Sequence, residues 1–133
     1  MLILIDTSVW IDLFKDQSGN KKSHLESLTQ DMDIVLSRFT QLEILQGARN
    51  EKEWQLLQSY LEFQSYLEAT TDTWTKAARI YFELRRKGKT VRSPIDCCIA
   101  QIAIDEKALL LHRDQDFITI SDHRELQHQF VNW

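Results

Sequence analysis

The sequence is poor in residues that interrupt or cross-link a fold. It has one proline and three glycines in 133 residues, so no flexible linker or low-complexity segment divides it, and we expect a single domain over residues 1–133. Its two cysteines, Cys97 and Cys98, are adjacent. That spacing excludes a CxxC redox pair or a zinc knuckle and disfavours a disulfide between them. The thiols are therefore expected to lie buried in a core helix, in a reducing cytoplasm.

Long apolar runs and an excess of positive charge are also absent. No stretch approaches the ~18 apolar residues of a membrane span, and the N-terminal apolar run is too short for a signal peptide, so we expect a cytoplasmic protein without membrane association. The net charge of −4 argues against binding nucleic acid over the whole surface. Positive charge is nevertheless dense within residues 76–92, where a solvated helix face and a phosphate-binding patch are both open interpretations. The candidate phosphate ligands are Arg85, Arg86, Lys87, Lys89 and Arg92.

The sequence begins with an apolar run that ends at a carboxylate. Residues 2–5 are apolar without alternation, which predicts a strand buried on both faces, as in a parallel sheet. Thr7 or Ser8 then offers an N-cap to an apolar-periodic helix. Asp6 is therefore expected at the carboxyl end of a central strand, and in open α/β sheets that edge is where ligands bind.

The rest of the chain alternates between strand and helix patterns. Further strands are predicted at 33–37, 63–69, 109–112 and 129–131. Helical spacing predicts helices at 22–30, 40–47, 51–61 and 71–87, from Pro94 onward behind an N-cap at Ser93, and briefly after Asp114. The same spacing places most aromatic side chains, including Trp54 and Trp74, in the core. This alternation predicts a three-layer α/β fold with a mainly parallel central sheet of four to five strands flanked by helices.

Acidic side chains recur where a strand ends or a helix begins. They are Asp6, Glu43, Asp96, Asp114 and Asp116. Each has a structural explanation: Glu43 completes a capping box at a helix start, Asp96 lies in a helix first turn, and Asp6 and Asp114 suit turns or N-caps. Parallel pairing would nevertheless bring Asp6 and Asp114 to one sheet edge. Right-handed crossovers would start the helices of Glu43 and Asp96 near the same edge.

Such a gathering of carboxylates favours a bound cation. Two carboxylates within ~5 Å repel by about 3 kcal/mol at an effective dielectric near 20, and either raised pKa values or an ion relieves that repulsion. Oxygen ligands without a nearby cysteine favour Mg²⁺ or Mn²⁺, which can activate water for phosphodiester hydrolysis. The positively charged segment would then lead a phosphate backbone towards Asp96. His112, at a strand end, is either a packed, hydrogen-bonded residue or a contact to substrate or water.

Four motifs follow one another along almost the whole chain: LIDTSVWI at 4–11, LEILQGA at 42–48, SPIDCCIA at 93–100 and LHRDQDF at 111–117. In this order they resemble the PIN-domain ribonucleases, and most closely the VapC-type toxins of bacterial type II toxin–antitoxin modules. The resemblance implies a PIN-like fold and a Mg²⁺- or Mn²⁺-dependent endoribonuclease. By motif position the catalytic acids would be Asp6, Glu43, Asp96 and Asp114. The metal ligands would be Asp6, Asp96 and Asp114, with Asp116 as an additional or alternative ligand and Ser8 as the hydroxyl that orders the site.

The resemblance also implies partners. These are a second copy of the chain, an RNA substrate that in the family is often transfer RNA, and a cognate antitoxin, a small DNA-binding protein whose tail covers the active site. The antitoxin would dock on the early helices around Trp10, Ile11 and Phe14. Many family members carry Thr or Ser near His112, so the contact made there is open in this chain.

Three other functions compete with this interpretation. A noncatalytic PIN-like module that binds RNA or protein, and a DNA nuclease, would both keep the fold. A phosphatase of the haloacid dehalogenase type would need a second Asp two residues after Asp6. Position 8 is Ser8, which disfavours that reaction.

Overall fold

A five-stranded parallel sheet forms the centre of the structure, a computed structural model that describes all residues from Met1 to Trp133. The strands are β1 (Leu2–Ile5), β2 (Asp33–Ser37), β3 (Tyr66–Leu67), β4 (Leu109–His112) and β5 (His128–Phe130). Their order in the sheet is β3-β2-β1-β4-β5, and every neighbouring pair is parallel. The predicted α/β class and the mainly parallel sheet of four to five strands are therefore confirmed.

Seven helices connect and cover the strands. They are α1 (Thr7–Lys15), α2 (Asn20–Leu28), α3 (Arg38–Gln46), α4 (Glu51–Glu62), α5 (Thr71–Arg86), α6 (Pro94–Asp105) and α7 (Gln115–Ser121). As predicted, Ser93 caps α6 and Pro94 is its first residue, where a missing N–H costs nothing. No helix is both long enough and apolar enough to cross a membrane.

The core has two halves, one on each face of the sheet. Side chains alternate along a strand, so Ile3 and Ile5 pack with Val9 and Trp10 on one face, while Leu4 packs towards α5, α6 and α7 on the other. Burial on both faces explains why β1 is apolar without alternation. Both cysteines are free and buried in the second half, as predicted.

The sheet register brings the ends of β1 and β4 together. Ile5 pairs with Leu111, and the next backbone N–H, that of Asp6, donates to the Leu111 carbonyl at 2.9 Å. Asp6 therefore leaves the sheet beside the chain that leads from β4 into α7. The predicted position of Asp6 at the carboxyl edge of a central strand is observed.

Two predicted helix N-caps are wrong. Helix α3 begins at Arg38, and its N-cap is Ser37, whose hydroxyl accepts the Thr40 N–H at 3.2 Å. The predicted capping box from Thr40 to Glu43 is absent because the helix follows β2 without a loop. Helix α1 is capped by Asp6 itself, not by Thr7 or Ser8.

The prediction that the aromatic side chains are mostly core is wrong for several of them. Trp74 is 55% exposed and Trp54 is 36% exposed. In α5 the buried stripe runs through Ala77, Ile80 and Leu84, which places Trp74 at the margin of the packed face. Apolar surface is therefore left open on α3 and α5, where Leu42 is also exposed.

Candidate active site

Three carboxylates converge at the carboxyl edge of the sheet. Asp96, Asp114 and Asp116 each offer a carboxylate oxygen, and these oxygens lie within 4.8 Å of one another. Asp96 is in the first turn of α6, Asp114 caps α7 by accepting the Asp116 N–H at 3.0 Å, and Asp116 is in the first turn of α7. Two helix N-termini, which favour negative charge, therefore hold the carboxylates in place.

Asp6 borders this cluster and is tied down by Ser8. Its Oδ2 accepts the Ser8 hydroxyl at 2.6 Å and the Ser8 N–H at 3.1 Å. The same hydroxyl oxygen accepts the Arg113 N–H at 3.0 Å. Ser8 thus links the end of β1 to the residue before Asp114, a geometry that fits the ordering role that the resemblance implies for it.

Glu43 joins the site from α3 through two threonines. The Thr7 hydroxyl donates to Glu43 Oε1 at 3.1 Å and lies 2.9 Å from the hydroxyl of Thr40. Burial raises the pKa of Glu43, the Thr7 hydrogen bond opposes that shift, and the charge of Asp6 adds to it. Sequence reasoning did not identify Thr7 and Thr40 as site residues. The only signals in the sequence were their positions: Thr7 directly follows Asp6, and Thr40 lies three residues before Glu43.

The site strongly perturbs the carboxyl group of Asp96. Burial, followed by the charges of Asp114, Asp6 and Asp116, raises the pKa of Asp96 to about 7, and a hydrogen bond with Asp116 acts in the same direction. Burial also raises the pKa of Asp6, although its hydrogen bonds from Ser8 oppose the shift. The predicted acids therefore form one electrostatically coupled group.

This donor set fits a hard divalent cation. Only carboxylate oxygens converge at the cluster, and such ligands favour Mg²⁺ or Mn²⁺ over zinc or copper. A cation among Asp96, Asp114 and Asp116 would also offset the mutual repulsion that raises the pKa of Asp96. The residues present therefore fit the ion that the resemblance implies.

His112 is part of the scaffold under the site. It is fully buried, its Nδ1 accepts the Asp114 N–H at 3.1 Å, and its Nε2 lies 3.0 Å from Nδ1 of His128. Burial lowers the pKa of His112 to about 4, so the ring is neutral and Nε2–H donates to His128. Of the two interpretations left open by the sequence, the packed, hydrogen-bonded histidine agrees with the observed burial of His112.

The five candidate phosphate ligands separate into two groups. Arg92 faces the acids: its guanidinium lies 2.7 Å from Asp114 Oδ1 and 3.0 Å from Asp116 Oδ2. The other four, Arg85, Arg86, Lys87 and Lys89, are exposed at the end of α5 and in the loop towards α6.

We expect Ser8→Ala to lower the free energy of unfolding by about 1–3 kcal/mol, because it removes the hydroxyl hydrogen bond to the buried Asp6 carboxylate and leaves the Arg113 N–H without a partner. Chemical denaturation in urea measures this loss. Ser18→Ala is a matched control, since Ser18 makes the same contacts to Asp16 and to the N–H of Asn20 at an exposed turn. The control should cost less than about 1 kcal/mol. Equal losses in both variants would contradict the ordering role of Ser8.

The protein therefore has an α/β fold with a group of interacting carboxylates at the carboxyl ends of its parallel strands. Residues 3–122 match the family model of the PIN domain. The chain is 33% identical to Ribonuclease VapC11 of Mycobacterium tuberculosis over an alignment of 129 residues, and the match covers 95% of this chain and 96% of that relative.

Solved structures support the same fold. VapBC2 from Rickettsia felis, bound to a DNA fragment from its promoter, superposes with a TM-score of 0.78 at 20% identity over 99% of this chain and 100% of that chain. VapBC-1 from nontypeable Haemophilus influenzae gives a TM-score of 0.78 at 23% identity over 98% of each chain. The chain belongs to the PIN-domain family.

Proposed function

We propose that this protein is a metal-dependent endoribonuclease and the toxin of a type II toxin–antitoxin module. The observation that carries the proposal is the convergence of Asp96, Asp114 and Asp116 beside Asp6, in a chain that is similar over 95% of its length to a protein named as a VapC ribonuclease. Asp6, Asp96, Asp114 and Asp116 would hold a Mg²⁺ or Mn²⁺ ion, directly or through water. When bound, such an ion lowers the pKa of a coordinated water and stabilises charge on phosphoryl oxygens.

The chain's own residues orient the site and move the proton. Ser8 fixes the carboxylate of Asp6, and the His112 ring holds the backbone of Asp114 from below. Thr7 fixes Oε1 of Glu43, which leaves Oε2 as the oxygen that accepts a proton from the attacking water. The raised pKa of Glu43 brings its basicity closer to what a general base needs near neutral pH.

The exposed side chains Arg85, Arg86, Lys87 and Lys89 would bind the substrate backbone. They cover the end of α5 and the loop that leads to α6, whose first turn carries Asp96. Positive charge concentrated in this way can bind phosphates although the whole chain is acidic. We propose RNA as the substrate because the similar curated proteins are named as ribonucleases, and transfer RNA as the class of RNA.

A cognate antitoxin is the proposed partner of the surface formed by α1 and α4. The Trp10 ring lies 5.9 Å from that of Phe14 and 6.2 Å from that of Tyr60, and Ile11, Phe14 and Tyr60 remain exposed. Such contiguous apolar surface suits the apolar face of a partner helix. The similar solved structures are VapBC assemblies, which supports an antitoxin as the occupant. A homodimer through the exposed surface of α3 and α5 completes the proposed assembly.

A nuclease assay with two substrates tests the proposed function. Purified protein should cleave RNA, not single-stranded DNA, should lose activity in EDTA, and should regain it with Mg²⁺ or Mn²⁺. Cleavage of DNA alone would indicate the DNA nuclease alternative. Tight RNA binding with no cleavage under any metal condition would indicate the noncatalytic module. Expression of the protein should arrest growth if it is a toxin, and co-expression of a small DNA-binding protein encoded by an adjacent gene should relieve that arrest if that protein is the antitoxin.

A further inference from the structure

Arg92 bridges two of the three clustered carboxylates. Its Nη2 lies 2.7 Å from Asp114 Oδ1 and its Nε lies 3.0 Å from Asp116 Oδ2. The Arg92 backbone N–H also donates to Asp116 Oδ2, at 3.2 Å. One residue therefore places two side-chain donors and one backbone donor on the acidic cluster, and its positive charge offsets part of the cluster's negative charge.

The backbone of Arg92 is held in place, whereas its side chain is largely exposed to solvent. Val91 is buried in the core, and Ser93 caps α6 by accepting the Ile95 N–H at 3.1 Å, so the backbone on both sides of Arg92 is held. The Arg92 side chain is 73% exposed, whereas those of Asp114 and Asp116 are 16% and 10% exposed. The guanidinium therefore covers the carboxylates from the solvent side and can leave them without rearranging the core.

Arg92 contacts two of the carboxylates that a metal ion would use. Asp114 and Asp116 are two of the three residues whose oxygens converge, and the guanidinium takes one oxygen of each. A divalent cation held at the same oxygens would meet the positive charge of Arg92 at contact distance, which is unfavourable. Ion binding and the bridging position of Arg92 are therefore competing states.

We propose that Arg92 is a built-in counter-ion that lowers the affinity of the acidic cluster for divalent cations and leaves Asp114 and Asp116 when an ion binds. This inference rests on the proposed function, because it requires that the cluster bind a divalent cation. It assigns to Arg92 a role in the binding of the metal ion. That role differs from the contact to the RNA backbone that the charge pattern alone predicted.

Isothermal titration with Mn²⁺, with electron paramagnetic resonance of free Mn²⁺ as a second measurement, tests the proposal without using activity. At pH 8 the Arg92→Gln protein should bind Mn²⁺ about tenfold or more tightly than wild type. Arg92→Lys, which keeps the charge but not the two-point bridge, should fall between them. Arg86→Gln is the matched control: it removes the same charge from a side chain that packs on Phe82 and makes no contact with the cluster.

The possible outcomes separate the inference from the function on which it rests. Equal Mn²⁺ affinity in wild type and both Arg92 variants would overturn the counter-ion role and leave the proposed function standing. An equal gain in Arg86→Gln and Arg92→Gln would assign the effect to overall charge and would also overturn it. Absence of Mn²⁺ binding in wild type and variants alike would overturn the proposed metal centre and, with it, the inference. Circular dichroism confirms that each variant is folded.

Discussion

Asp96→Asn protein is expected to cleave RNA at least about 10²–10³-fold more slowly than wild type. Asp96 lies among Asp6, Asp114 and Asp116 and senses the charge of all three, so the amide removes a central negative charge from the proposed metal centre. Asparagine has the same shape and tolerates the first turn of a helix, so the fold should survive. Single-turnover cleavage of labelled RNA at saturating Mg²⁺ measures the loss.

The control for this prediction is Asp122→Asn, the same chemical change at the exposed C-cap of α7. It should retain cleavage within about twofold of wild type, as surface substitutions usually do. Full cleavage by folded Asp96→Asn protein would reject the assignment of the acidic cluster as the catalytic site.

The same substitution should make the metal-free protein more stable at high pH. The folded-state pKa of Asp96 is about 7, above the ordinary value of 3.8, so the folded protein binds this proton more tightly than the unfolded chain. The stability that this tighter proton binding adds to the fold is fully present below the pKa of the unfolded chain and is lost as the pH rises through about 7. In EDTA at pH 8, Asp96→Asn should therefore be more stable than wild type by about 1–2 kcal/mol. This is less than the full pKa difference would give, because Asp96 is only partly buried and water screens its charge.

Urea denaturation at pH 5 and pH 8 checks the pH dependence. The stabilisation by Asp96→Asn should be small at pH 5, where wild-type Asp96 is protonated, and larger at pH 8. An equal effect at both pH values would show that the folded-state pKa of this carboxyl is not raised. A gain in stability together with a loss of cleavage would mark Asp96 as a residue that lowers stability in favour of function.

Phe117→Ala is expected to lower the free energy of unfolding by about 3–5 kcal/mol. Phe117 is fully buried and directly follows Asp116, and its ring centre lies 5.0 Å from that of His112. The truncation would leave a cavity beneath the helix that carries the site. Since domains are stable by only about 5–15 kcal/mol, much of the total stability would be lost.

Phe63→Ala is the control for the core prediction. Phe63 is 88% exposed at the end of α4, so its truncation should change stability by about 0.5 kcal/mol or less. Urea denaturation of both variants against wild type gives the comparison. A loss below about 1 kcal/mol for Phe117→Ala would contradict the packing of Phe117 in the core beside His112.

The sequence was most informative where one local pattern determines the structure. The apolar runs of β1 and β2 predicted those strands at their observed residues, because a short apolar run without alternation is typical of a strand buried on both faces. Ser93 and Pro94 likewise predicted the start of α6, because proline fixes the backbone angle that a first helical residue needs. Parallel pairing and right-handed crossovers then predicted that acids from distant segments meet at one edge.

Features that depend on tertiary packing were not predictable. The partner of Glu43 is Thr7, 36 residues away in the sequence, and no local pattern links them. Trp74 has core-like spacing but lies outside the buried stripe of α5. In the sequence, Arg92 is one of several cations in a basic segment. Its contacts with Asp114 and Asp116 depend on the path of the backbone before α6, which no local pattern predicts.

The central claim is that the acidic cluster binds a divalent cation, and diffraction from crystals soaked in Mn²⁺ tests it most directly. Data collected at the manganese absorption edge should show an anomalous peak among Asp96, Asp114 and Asp116, with the Arg92 guanidinium moved away from Asp114 and Asp116. Density without such a peak, and with Arg92 still bridging the two carboxylates at saturating Mn²⁺, would contradict the account.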